Sequence, residues 1–149
     1  MPIGDTRIED HLKRVRLLSE LDAWFKFFDG ATKKQIIRTV QERLRTKGTN
    51  SDNEVIGLYS LATEFISKGK KEHGTHFTFF DTGDFYASMF VVVFVDAFIV
   101  EADAKKDDDN LFEKYGENII SLTDEELEIV KRNLKNHYIT YARRVLQID

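Results

Sequence analysis

An α+β fold is what this 149-residue sequence predicts: a small antiparallel sheet built on a central β-hairpin (about 89–102), packed against long N- and C-terminal helices. Three observations predict it. Phe90-Val91-Val92-Val93-Phe94-Val95 is wholly β-branched or aromatic, and Phe98-Ile99-Val100-Glu101-Ala102 returns after the tight turn Asp96-Ala97. Ile8, Leu12, Val15, Leu18, Leu21, Phe25 and Phe28 recur at steps of three and four, which is helical periodicity. Leu127, Val130, Leu134, Tyr138, Tyr141 and Val145 do the same near the end of the chain.

Taken in order, the first helix runs from about Thr6 to Phe28 and is expected to stop at Asp29-Gly30, where glycine accepts the left-handed backbone of a helix end. A second helix spans Thr32 to Lys47, with Ile36, Ile37, Val40 and Leu44 on one face and Gly48 ending it. Gly48 to Glu54 reads as a polar loop, Val55 to Ser60 as a short strand, and Leu61 to Ser67 fits either helix or strand. Lys68 to His76, with two glycines and three lysines, is an exposed loop. After the hairpin, Asp103 to Asn110 is a charged loop, and Leu111 to Tyr115 makes one helical turn ended by Gly116. Thr123-Asp124-Glu125-Glu126 is a capping box, with Leu122 and Leu127 placed as a hydrophobic staple. The helix it opens carries acids in its first turn and Arg143 and Arg144 in its last, matching the helix dipole. Its length is about 24 residues, or roughly 36 Å.

The bulk numbers narrow the function. A chain of this length fits one domain, residues 1–149. Twelve Phe against one Pro argue for an ordered aromatic interior rather than a linker. A net charge of −4 offers no global basic field for nucleic acid. The absence of cysteine removes disulfides, thiolate metal sites and cysteine nucleophiles. Met1-Pro2-Ile3-Gly4-Asp5 runs into a charged amphipathic stretch without a signal-peptide core, and the apolar run Met89 to Val95 is too short to span a bilayer. The expectation is a protein made in the cytosol, with no membrane partner.

Candidate chemistry is sparse. Phe79-Phe80-Asp81-Thr82-Gly83 resembles the active-site loop of retroviral-type aspartic proteases, in which two Asp from two chains share a proton. The competing reading makes Asp81 the cap of a short helix starting near Thr82. His11, His73, His76 and His137 give no metal signature; His73 and His76, in a glycine-containing loop, read as solvated loop residues rather than a weak metal site, and Asp107-Asp108-Asp109-Asn110 lacks the alternating ligands and closing Glu of a calcium loop. No cofactor, metal or catalytic residue is therefore assigned. Lys33, Lys34, Arg38, Arg43, Arg45 and Lys47 stand against Glu42 alone, a net of +5 on one helix. They read as its wet face and as a contact for an acidic partner or nucleic acid. Trp24, Phe25, Phe27 and Phe28 are dense enough to imply deep burial or a partner contact, with Phe27 off the main apolar face.

The run Asp81-Thr82-Gly83-Asp84-Phe85-Tyr86-Ala87-Ser88-Met89, followed by the hairpin and then by Tyr115-Gly116-Glu117, resembles the neck or tail-completion (head–tail connector) proteins of tailed bacteriophages. That family shows a Thr-Gly-apolar-x-x-Ser segment before a hairpin, and a Tyr-Gly pair one hairpin later; here Thr82, Gly83, Ser88, Tyr115 and Gly116 correspond in order, with Ser88 one residue beyond that spacing. Asp84 and Glu117 depart from the usual pattern. The resemblance implies a structural virion subunit without catalysis, located in the neck or tail region and made in the host cytoplasm. It implies a ring of identical copies, meeting neighbouring connector and tail proteins and lying near channel DNA without reading its sequence. The alternatives are a homodimeric aspartic protease using Asp81 and a small nucleic-acid or protein binding module.

Overall fold

A computed structural model describes residues 8–10, 12–13, 28–94 and 97–147. The protein is α+β, with the β-hairpin laid against two helices. Residues 8–10 and 12–13 are helical, and Phe28, the expected last residue of the first helix, lies in a bend instead; the other residues of that helix, Trp24 and Phe27 included, lie outside the described residues.

Helix α1 spans Gly30–Thr46. It begins two residues earlier than periodicity suggests, because the Asp29 carboxylate accepts the Thr32 amide at 2.9 Å and acts as N-cap. That hydrogen bond holds the Asp29 carboxyl below the usual carboxylate range. The expected stop signal Asp29-Gly30 is thus a start signal, and Gly30 has no left-handed backbone. Ile36, Val40 and Leu44 are buried, as their spacing dictates.

The stretch expected as a strand at Val55 to Ser60 forms only two isolated bridges, Thr49 with Val55 and Leu58 with His76. The ambiguous segment beyond it is a short helix, α2 (Leu61–Ile66), capped by Ser60 accepting the Thr63 amide at 3.1 Å. Helix α3 (Asp84–Ala87) follows the Asp-Thr-Gly motif. Strands β1 (Phe90–Val93) and β2 (Phe98–Glu101) pair antiparallel, Phe90 opposite Glu101 and Val92 opposite Ile99. The charged loop contains a second, tiny hairpin, β3 (Lys105–Lys106) with β4 (Asp109–Asn110), turned through Asp107 at φ 51°. Helix α4 (Leu111–Tyr115) is capped by Asn110, and a 3-10 turn (Glu117–Ile119) leads to α5 (Asp124–Leu146). Both halves of the Thr123–Glu126 capping box form.

Strand alternation sets the hairpin's two faces. Val91, Val93, Phe98 and Val100 turn inward, onto Phe28, Ile36 of α1, and Val130 and Leu134 of α5. A second cluster joins Val40 and Leu44 to Tyr86, Met89, Ile119 and Ile120. Ile37, Val100 and Leu122 touch both clusters, so the apolar interior is continuous.

Candidate functional site

Arg43 lies on the same helical stripe as Ile36 and Val40, and its side chain is 4% exposed. It does not belong to the wet face of α1, a correction to its expected role as a contact residue. Its guanidinium meets the Glu126 carboxylate and donates to the carbonyls of Thr49 (3.1 Å), Ser121 (2.7 Å) and Ile119 (3.3 Å). Glu126 also accepts the Thr123 amide at 3.0 Å, so one carboxylate serves both the cap of α5 and the buried ion pair. Burial lowers the pKa of Arg43, and the charge of Glu126 opposes that. Lys34, Arg38, Arg45 and Lys47 remain exposed, and Lys33 is half-buried. The basic face of α1 is therefore real, and smaller by one charge.

The Asp-Thr-Gly motif is a turn. Asp81 does not cap α3: the N-cap is Gly83, at φ 92°, with no side-chain cap bond. The Thr82 hydroxyl instead accepts the Asp84 amide at 3.3 Å and donates to the Asp84 carboxylate at 2.7 Å. Asp81 is exposed and takes Lys106 Nζ at 2.5 Å and Lys71 Nζ at 3.6 Å. The hydrogen bond from Lys106, then the charges of both lysines, hold its carboxyl below the usual range. In this chain Asp81 is thus a charged staple between the turn and two lysines.

Ser88, Tyr115 and Gly116 are structural. Ser88 Oγ donates to Phe85 O at 2.7 Å and accepts the Asp103 amide at 3.0 Å, tying α3 to the chain beyond β2. Tyr115 stands edge-on to Phe77 and Phe79, at 5.7 and 5.3 Å between ring centres. Gly116, at φ 91°, ends α4. Tyr86, buried beside this cluster, donates its hydroxyl to Thr78 O at 2.5 Å, and burial pushes its pKa up to about 12.

One feature of the surface was missed by sequence reasoning. Residues 58–76 form a lobe closed at its base by Tyr59 N to Thr75 O (2.8 Å) and Gly74 N to Tyr59 O (3.0 Å). His76, expected as a solvated loop residue, sits at that base with Nε2 3.0 Å from Thr46 O and Nδ1 3.1 Å from Phe77 O. A Cβ on Gly48 would lie 2.6 Å from the His76 ring, and one on Gly57 would lie 2.3 Å from the Phe77 ring. The contacts leave room for glycine alone at both positions. Within this lobe α2 buries nothing: Phe65 is 87% exposed, Ile66 81% and Leu61 66%. The outward face of the hairpin is apolar as well, with Phe90 51% and Ile99 42% exposed. The sequence signal for the lobe is Ser60 as N-cap, followed by apolar residues at Leu61 and Phe65, four apart.

Among the described residues no three His, Asp or Glu side chains gather as metal ligands, and no helix is long and apolar enough to cross a membrane. A groove between α1 and α5 is lined by Thr32, Gln35, Thr39, Ile129, Asn133 and His137, with Glu126 turned to Arg43. The chain matches no protein-family model, no curated protein and no solved structure.

Proposed function

We propose that this chain is an assembly subunit that works through protein–protein contact, forming a ring of identical copies in the neck or head–tail connection of a tailed bacteriophage. The observation that carries the assembly reading is the display of large apolar side chains on well-bonded elements, Phe65 and Ile66 on α2 above all. A soluble chain that holds such side chains in water on a capped, hydrogen-bonded helix has an interface waiting for a partner. The basic face of α1 and the acidic stretch from Glu101 to Asn118 (seven acids, three lysines) suit contacts between unlike surfaces of successive copies. The phage-neck assignment rests on the resemblance carried by Thr82, Gly83, Ser88, Tyr115 and Gly116. In that reading neighbouring connector and tail proteins cover the remaining surfaces, and the chain performs no catalysis.

Electron microscopy of purified particles tests this reading. Several copies arranged around the tail axis are expected. A chain found only as a free monomer in the cytosol and in no particle refutes it.

A further inference from the structure

We propose that the tip of the 58–76 lobe seats on the outward face of the β1–β2 hairpin of a second copy of this chain. This rests on the assembly reading above and names the two surfaces that meet.

The surfaces fit in chemistry. The lobe tip is apolar at Leu61, Phe65 and Ile66, and Lys68 and Lys70 follow directly at its rim, both exposed. The third lysine of the lobe, Lys71, is turned to Asp81. The one acid on α2, Glu64, accepts the His73 amide at 2.6 Å. The outward hairpin face presents Phe90, Val92 and Ile99, and the residue paired with Phe90 on that face is Glu101. Among the described residues Lys68, Lys70 and Glu101 enter no ion pair. An apolar centre with a basic rim thus faces an apolar row with an acid at its end, which orients one on the other.

The surfaces also fit in size. Six helical residues extend about 9 Å, and four strand residues extend about 13 Å. The short helix therefore lies within the hairpin's length. The inward face of the hairpin is already occupied by α1 and α5, which leaves the outward face for a partner. Because lobe and hairpin are different surfaces, each copy gives one and receives on the other. Such a contact propagates from copy to copy and closes when the rotation allows.

The chain has no cysteine, so single cysteines report contacts without background. Full-length Phe65→Cys and full-length Ile99→Cys, distinguished by mass, are mixed under mild oxidation. Cross-links between the two are expected to exceed those within either population by about tenfold, and the double variant to give a ladder of oligomers. Phe65→Asp should weaken self-association by about 10- to 100-fold, the scale of an aromatic anchor, with the melting temperature unchanged because the side chain is exposed. Lys68→Glu with Lys70→Glu should weaken it too, and Glu101→Lys in the same chain should restore part of the loss.

Dominant cross-links within one population overturn the proposal, since they mean like faces meeting. So does Phe65→Asp that assembles as the wild type does; both results leave the assembly reading standing. A wild-type chain that stays monomeric through the millimolar range and is absent from particles removes both. A monomer that binds anionic phosphatidylserine vesicles through Phe65 makes the occupant of the lobe a lipid surface, and removes both as well.

Discussion

The Arg43 cluster and the 58–76 lobe handle their unusual side chains in opposite ways. Arg43 is a charge inside the protein, and the protein surrounds it with a carboxylate and three carbonyls. Phe65 and Ile66 are hydrocarbons on the surface, 87% and 81% exposed, and among the described residues none covers them. A buried charge with all three of its nitrogens bonded belongs to folding, because losing one partner strands the others. An exposed apolar group on a capped element adds little to folding, and it is the group that the proposed assembly role would use. The two regions also differ in how they are wired. Arg43 reaches a residue 83 positions away, whereas the lobe is bonded mostly to itself.

The largest break in this contrast should come from Arg43→Met. It leaves Glu126 charged at the cap of α5 without its guanidinium, with three carbonyls short of a donor. The expected cost is about 3–5 kcal/mol in urea unfolding. Arg38→Glu, on the exposed side of the same helix, should move stability by no more than about 0.5 kcal/mol. Equal effects of the two would mean that Arg43 is not buried.

Gly57→Ala attacks the base of the lobe instead. The new methyl meets the Phe77 ring at 2.3 Å. Overpacking of this kind costs about 1–3 kcal/mol, and the loss should appear as faster amide exchange in residues 58–76 while α1 and α5 stay protected. Exchange that accelerates uniformly would show that the lobe is no separate unit.

Thr123→Ala removes the hydroxyl that accepts the Glu126 amide at 3.1 Å. About 1 kcal/mol is expected from the lost cap. A double-mutant cycle with Arg43→Met should be non-additive, since Glu126 serves both partners. Strict additivity would separate the cap from the ion pair.

A small effect is also expected at Asp81. Its partners are exposed lysines, so Asp81→Asn and Asp81→Ala should be alike, each costing under about 1 kcal/mol. A helix cap would have spared Asn and penalised Ala. The folded-state pKa is lowered, so the contribution is present above the ordinary carboxylate range and fades as pH falls through the depressed value. Melting curves of wild type and Asp81→Asn should therefore converge in strong acid, and also at about 1 M salt, where screening reaches short range. A gap that persists under both conditions excludes the ion pairs as its cause.

What the sequence determined by itself is local. The periodic face of α1, the capping box and length of α5, the hairpin, and the turn ended by Gly116 all follow from signals within a few residues of where they act. Helix faces repeat at 3.6 residues, caps reach three residues, and a hairpin pairs neighbours, so a short window contains the cause. The tertiary structure decided whatever needed a distant partner. Arg43 looks like one more cation in a basic run, and only the arrival of Glu126, Ile119 and Ser121 turns it into a buried hub. Asp81 spells a protease motif, and only Lys106 and Lys71 make it a staple. Val55 to Ser60 has strand composition, yet among the described residues no strand lies alongside to complete a ladder, so it ends as isolated bridges. Leu61 to Ile66 is apolar like a core segment, and its exposure is set by where Gly48, Gly57 and His76 anchor the lobe. Burial and charge pairing are properties of neighbours in space, and the residues that become neighbours here are separated by tens of positions along the chain.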